Sequence, residues 1–558
     1  MSEQKNRAGK KHLRLVKPEP RSVARKTELD NLRTLTGKAK YKAILASGNS
    51  RMLVQEMPAQ DLFLLVKELG AADVPELLGM ASGVQVTLCI DMDCWRNDTM
   101  DPDGAQFWLQ QLHQIDSEDT LRLVDELDFD MLVLLVKKQL RVVRGLEALD
   151  DDELEEPRLR RDQLYECEYR DPEQAKWLEG LLELLFSERQ SVYLQLMEAV
   201  RHETELVFEE EVFHDRIARL SDFGFIETHE ALKIRAWLDP EHFDPAAFIK
   251  DQTVFTSEYS GLSLPGFVMT VAQPRDLLAD VMSNSLNEAL CQELTYLLNR
   301  AISADQVDAG DATEVQESLE DVYNYLNIAL GYLAGTDVGR AMEIFEQVYL
   351  QALYRLGFSL TTALQRRARA VLESPAGSYL DGPDAALVAA LNQSRPRFYS
   401  GVETTTRADV RPFRNYADVK AVSIELDAVE ALLPLFGSAG IFNIPAPNEL
   451  NLEGCIPPQA NEVTLSELFL TAIANKILGH DPTPEPIPVA ELETLHQALH
   501  AEANFQDLRH QTREWLISLA SGSGAFVEFC FDLWEHEFYA LKVENLKPQY
   551  IGGLLIRL

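Results

Sequence analysis

The chain has 558 residues, 46% of them apolar and 25% charged. That length is too great for one small core, and the composition is that of an ordinary globular protein. With 52 Lys and Arg against 90 Asp and Glu the formal net charge is −38, which argues against a general nucleic-acid binder and against anionic membranes. Six scattered cysteines (89, 94, 167, 291, 455 and 530) supply no four-ligand zinc set and read as reduced thiols. No stretch of 18 apolar residues is present and the first residues are charged, so the expectation is a cytoplasmic protein without a transmembrane segment.

Residues 1–26 hold nine Lys or Arg against Glu3 and Glu19. Such a segment has no apolar face to bury, so residues 1–28 are expected to be a disordered basic tail, the one part of the chain suited to nucleic acid. From 29 to 145 the pattern is that of a helical-repeat domain. Met57-Pro-Ala-Gln-Asp-Leu-Phe-Leu-Leu-Val-Lys-Glu-Leu69 falls on Ile115-Asp-Ser-Glu-Asp-Thr-Leu-Arg-Leu-Val-Asp-Glu-Leu127 at a shift of 58 residues, with Asp61/Asp119, Leu65/Leu123, Val66/Val124, Glu68/Glu126 and Leu69/Leu127 identical. Each copy has apolar residues at helical spacing and is followed by a second short apolar pattern, Val74-Leu77-Leu78 or Leu132-Leu135-Val136. Between the copies, Asp101 and Asp103 mimic a calcium loop. Thr99 and Gln110 occupy its two principal ligand positions, however, and the aspartates read as caps for a helix through Phe107 and Trp108.

The Met-Pro-x-x-Asp-Leu-x-x-Leu-Val-x-x-Leu pattern, over residues 45–143, resembles the cytosolic superhelical N-domain of the MgtE-type magnesium transporters. The resemblance implies a superhelical fold, and a divalent-cation sensor as a weaker functional alternative.

Seven acidic residues between Glu147 and Glu156, closed by Pro157, mark a linker over 146–170. A central helical domain is expected over 171–480. Within it, Arg219-Leu-Ser-Asp-Phe-Gly-Phe225 suggests a helix ending at a glycine turn. Tyr325, Ile328, Ala329, Tyr332, Ala341, Phe345 and Val348 follow the spacing of a single tetratricopeptide-like hairpin. Asp481-Pro-Thr-Pro-Glu-Pro-Ile-Pro488 is a stiff linker to a C-terminal helical segment, 481–558. The fold class is therefore all-α: a helical-repeat N-terminal domain plus a larger irregular helical domain.

Four stretches together, Arg219-Leu-x-Asp-x-Gly-Phe225, Leu353-Tyr-Arg-x-Gly-Phe-Ser-Leu360, Arg411-Pro-Phe-Arg414 and Thr464-Leu-Ser-Glu-Leu-Phe-Leu470, resemble a bacterial family of unknown function. The resemblance covers most of the chain after residue 40. It implies a helical protein and brings no activity, cofactor or catalytic residue.

Two constellations invite chemistry. Glu493, His496 and His500 share a helical face at metalloprotease spacing, but Gln497 stands where the general base must be, and an amide cannot take a proton from bound water. No catalytic residue, metal site or cofactor is assigned. Between Leu360 and Lys420 nine basic residues outnumber six acidic ones. Arg366, Arg367, Arg369, Arg395, Arg397, Arg411 and Arg414 form a candidate anion site for phosphate or carboxylate if the proline-bent segments fold back on the helix that carries the first three. The first functional expectation is a protein-interaction or regulatory scaffold with another protein as partner. The second is an enzyme or binding protein for an anionic small molecule at the arginines.

Overall fold

The computed structural model describes residues 32, 35, 37–145, 164–172, 175–250, 276–307, 311–404, 409–437, 440–444, 449–501 and 504–558. The expected basic tail, most of the acidic linker, and residues 251–275 lie outside them. Helices dominate, and the largest sheet among the described residues has three strands of two residues each, so the fold is all-α. These residues fall into two compact units. The first is drawn from Met1–Ile234 and Leu286–Glu320, the second from Arg235–Lys250, Arg275–Ser285 and Asp321–Leu558.

The first unit opens with α1 (Gly37–Ala46), α2 (Ser50–Glu56), α3 (Ala59–Leu69), α4 (Pro75–Met80) and α5 (Gly83–Asp93), then a β1–β2 hairpin (Trp95–Arg96, Thr99–Met100). It continues with α6 (Pro102–Gln114), α7 (Ser117–Glu126) and α8 (Phe129–Lys137). The internal similarity has a backbone counterpart. Met57 and Ile115 end their helices at φ −71°, ψ 140° and φ −70°, ψ 162°, and Pro58 and Asp116 open the next at φ −54°, ψ 139° and φ −64°, ψ 152°. Leu65/Leu123, Val66/Val124, Leu77/Leu135 and Leu78/Val136 are buried in both copies. Asp101 caps α6 by accepting the Asp103 N–H, as the sequence suggests.

Beyond β3 (Leu140–Arg144) and β4 (Glu166–Tyr169) come α9 (Ala175–Glu188), α10 (Gln190–His202) and α11 (Glu205–Ser221). Their apolar residues, Leu178 to Val212, join the same core as Leu62 and Trp108. The acidic stretch therefore does not separate two cores: short helices with wide apolar faces need the later ones to cover them. A short α12 (Thr228–Ala231) packs on α14 (Glu288–Asp305); α13 (Leu277–Ser285), between them in sequence, belongs to the second unit.

In the second unit α15 (Ala312–Ala334, from Asp321 onward) is followed by α16 (Val338–Gln347) and α17 (Leu350–Glu373). Ala341 and Phe345 of the expected hairpin are buried. α16 lies against α13, and Tyr332 turns to the Tyr416 ring at 5.2 Å and donates to the Pro240 carbonyl at 3.0 Å. The 353–360 motif is a clamp. A Cβ on Gly357 would sit 2.0 Å from the Tyr325 carbonyl oxygen, so only glycine lets α17 approach α15 there. Arg355 donates to the Ala236 carbonyl and Ser359 accepts the Leu238 N–H, which straps residues 236–238 onto the helix.

The rest of the unit comprises α18 (Gly382–Leu391), a β5–β6 pair (Phe398–Tyr399, Val410–Arg411), α19 (Tyr416–Leu432), α20 (Leu465–Ile477), α21 (Leu492–His500), α22 (Asn504–Leu519) and α23 (Gly524–Trp534). Its three-stranded sheet is ordered β7–β9–β8 (Cys455–Ile456, Ile556–Arg557, Ile487–Pro488). One core joins Tyr379 and Phe436 to Leu495, Trp534 and Ile556, so the segment after the proline linker shares a core with what precedes it. At its edge the Thr464–Glu467 capping box opens α20, and Asp381 accepts both the backbone N–H and the hydroxyl of Ser466. Burial pushes the Glu467 carboxyl up to about 7; burial, then the neighbouring Asp381 and Glu425, push Asp384 to about 7.

Two outcomes are expected. Gly357→Ala should destabilise the protein by about 2 kcal/mol or more through overpacking against backbone, read as a lower urea midpoint. Carboxyls raised in the folded state hold protons that the unfolded chain releases. Their contribution is therefore complete below the unfolded pKa near 4 and is lost as pH rises through about 7. Relative to wild type, Asp384→Asn and Glu467→Gln should gain stability progressively between these limits, and most above pH 7; equal gains at pH 4 and pH 8 in urea titrations would contradict this.

Candidate functional site

Arg216 and Arg219 lie one turn apart on α11 and face the end of α5, where Asp91 is fully buried. A carboxylate withdrawn from water costs several kcal/mol unless it is paired and fully hydrogen-bonded. Arg219 meets this need with a fork: Nε and Nη2 donate to the two Asp91 oxygens at 2.8 and 3.1 Å. Its remaining Nη1 reaches Asp128 Oδ2 at 3.2 Å, while the other Asp128 oxygen caps α8 through the Met131 N–H at 2.9 Å. Arg216 Nε donates to the Asp91 carbonyl at 2.8 Å, with its guanidinium 5.5 Å from the Trp95 ring and 5.7 Å from that of Phe213. One turn of α11 thus fastens the end of α5 to the start of α8.

The chain then turns at Gly224 (φ +87°), where a Cβ would lie 2.8 Å from the Tyr296 ring. Tyr296 donates to the Asp222 carbonyl, and Asn299 to that of Phe223 at 2.6 Å. The turn is held in place beside the first residues of α5. These start hard against the end of α7: the Gly83 N–H donates to Glu126 at 2.9 Å, and a Cβ on Gly83 would meet the Glu126 backbone oxygen at 2.4 Å.

Between these fixed pieces is a hollow of about 480 Å³. Leu88, Leu127 and Phe223 line it, with Val84, 66% exposed, at its mouth. Glu126, Asp128 and Asp222 supply its carboxylates, and among the described residues Arg219 is its one lining cation. Glu126 also lines a second, polar hollow of about 570 Å³, with Asp116, Glu118, Asp119 and Asp125 and three arginines. Each of those arginines is engaged: Arg51 with Asp119 at 2.7 Å, Arg122 with Asp119 at 3.2 Å and Glu126 at 2.9 Å, and Arg189 with Asp125 at 3.1 Å. Against the upward push of burial, Arg51 and Arg122 hold the Asp119 carboxyl below its ordinary range.

The chain matches DUF6178, a family of unknown function, over residues 18–557. It belongs to that family. No curated protein and no solved structure matches it. In this DUF6178 protein the 219–225 motif, one of the four stretches on which the resemblance rests, lines the first hollow. That motif and the Glu126-Leu127 pair of the internal similarity both reach it; the hollows themselves depend on which helix ends meet.

The seven arginines singled out in the sequence are spread over separate partners. Arg366 stacks 3.7 Å above Trp237. Arg367 is held by Asp427, Glu430 and Ser423, and Arg369 donates to Asn392 at 3.3 Å. Arg395 and Arg397 are brought together, on Asp321. Arg411 lies 3.9 Å over the Phe398 ring and pairs with Asp418 at 2.6 Å and Glu403 at 2.8 Å; the Arg414 backbone N–H donates to Asp418 at 2.8 Å. The fold thus pairs four of these guanidiniums, those of Arg367, Arg395, Arg397 and Arg411, with carboxylates of an acidic chain. His496 Nε2 faces the Leu541 carbonyl at 2.9 Å, His500 Nδ1 faces the His496 carbonyl at 3.0 Å, and Glu493 accepts from Gln497 at 3.1 Å. Among the described residues no group of three His, Cys, Asp or Glu is arranged to hold a metal, and no helix is long and apolar enough to cross a membrane.

Arg219→Ala should destabilise the protein by about 3–5 kcal/mol, because it strands the Asp91 charge in the core. The double variant Asp91→Asn/Arg219→Ala should cost less than the sum of the single variants. Urea unfolding of the four proteins measures both.

Proposed function

We propose that this DUF6178 protein is a cytoplasmic interaction scaffold and that the apolar hollow between α5, the end of α7 and the Asp222–Phe223 turn receives a segment of a protein partner. The reading rests on one observation: a largely exposed Val84 stands at the mouth of a hollow floored by Leu88, Leu127 and Phe223. A partner side chain entering it gains about 25 cal/mol for each Å² of apolar surface removed from water. The walls are already fixed by Arg219 and by the Gly83–Glu126 contact, so little conformational freedom is lost on binding. A volume of about 480 Å³ admits one or two large anchor side chains, the kind that dominate interface energetics. The cytoplasmic placement draws support from the cysteines, none of which forms a disulfide.

The full-length protein, tagged and purified from its own cell, should carry a partner protein in stoichiometric amount. Val84→Glu should reduce that partner about ten-fold, the loss expected for an anchor contact of ~1.4 kcal/mol. Ile424→Glu, at a site 65% exposed in the second unit, should leave it unchanged. A partner retained equally by both variants would place the interface elsewhere and defeat the proposal.

A further inference from the structure

We infer that the partner segment is basic and amphipathic: an aliphatic or aromatic anchor for the apolar hollow, with Lys or Arg side chains that cross Glu126 into the polar hollow beside it. This inference rests on the interaction reading above and adds the chemistry of the partner. Three carboxylates, of Glu126, Asp128 and Asp222, line the apolar hollow. The single cation there among the described residues, Arg219, is committed to Asp91 and Asp128. Across Glu126, the polar hollow has five carboxylates and three arginines. Those arginines are bound to Asp119, Glu126 and Asp125. Asp116 is occupied in capping α7 through the N–H groups of Glu118 and Asp119, and the exposed Glu118 has no ion pair among the described residues.

Both hollows therefore present net negative charge, and they share a wall. Nucleic acid and anionic lipid are repelled by such a surface, whereas Lys and Arg are drawn to it. The spacing is also set. Glu118 and Glu126 stand at the two ends of α7, about 12 Å apart at 1.5 Å per residue. A helical partner segment would thus carry its basic residues about two turns from its anchor. The net charge of −38 would speed encounter with a basic partner and make the association weaken with salt.

The test uses the full-length protein and three fluorescein-labelled synthetic helical peptides: Leu/Lys, Leu/Glu with the same apolar positions, and Ser/Lys. Binding is followed by anisotropy for wild type, for Val84→Glu and for Asp222→Lys/Glu118→Lys, all substitutions at exposed positions, with matching urea midpoints required. The Leu/Lys peptide should bind wild type in a salt-sensitive manner, and each variant should weaken it about ten-fold. If the Leu/Glu peptide binds as well and Val84→Glu abolishes it, the hollow binds a partner but the basic chemistry is wrong. If no Leu-containing peptide responds to Val84→Glu, the interaction reading fails too. A Ser/Lys peptide that binds as tightly as Leu/Lys shows attraction to an acidic surface without a docking site, and overturns the inference. Finally, Lys11→Glu/Arg14→Glu/Lys17→Glu should leave Leu/Lys binding unchanged. A ten-fold gain in that variant would show that the chain's own basic segment fills the hollow, and would overturn the assignment to a partner.

Discussion

The first unit depends on one buried charge. Asp91 has no exposed surface, and an aspartate in that position would exclude the observed packing if Arg219 did not bring a planar fork to it. Once the fork is in place, its third nitrogen is left over and takes Asp128. The same guanidinium that neutralises the core carboxylate thereby sets the distance between the end of α5 and the start of α8. Nearby, Arg216 binds the Asp91 carbonyl beside two aromatic rings. The hollow is a by-product of this fastening: three helix ends and a glycine turn are held close but not closed.

The four stretches divide by the work they do. Gly357 and its neighbours bring α17 against α15 and tie down residues 236–238. Thr464 and Glu467 cap a helix whose Ser466 engages Asp381. Arg411 and Arg414 serve the Asp418 carboxylate at the start of α19. These are packing and capping devices of the second unit. The 219–225 stretch has a structural task of the same kind, yet Asp222 and Phe223 also line a hollow, and that double position sets it apart.

Much of the fold was legible in the sequence because helical periodicity is local: apolar residues at i, i+3 and i+4 announce a buried face without knowledge of what covers it. The 58-residue shift was visible for the same reason, and it matches backbone angles at Met57–Pro58 and Ile115–Asp116. What covers each face was not legible. The acidic stretch looks like a boundary, yet Leu178 and Leu196 complete the core that Leu62 begins. The arginine-rich region shows why charge counts along a chain mislead. Asp321, Asp427 and Glu430 lie outside the window in which the cations were counted, and long-range pairing with them accounts for Arg367, Arg395 and Arg397. The hollows were invisible for a related reason: Val84, Glu126 and Phe223 come from two helix ends and a turn far apart in sequence.

Glu126 is the residue with the most simultaneous obligations. Its carboxylate receives the Gly83 N–H and the Arg122 guanidinium, its backbone leaves no room for a side chain at position 83, and it walls both hollows. Glu68, which the 58-residue shift sets on Glu126, places its carboxylate beside Gly37, a glycine at φ +48°. Within the repeat, a glutamate is thus twice set against a glycine from another helix. Any side chain at position 83 would force the two helix ends apart, and such a change would alter the shape of both hollows before it altered their charge.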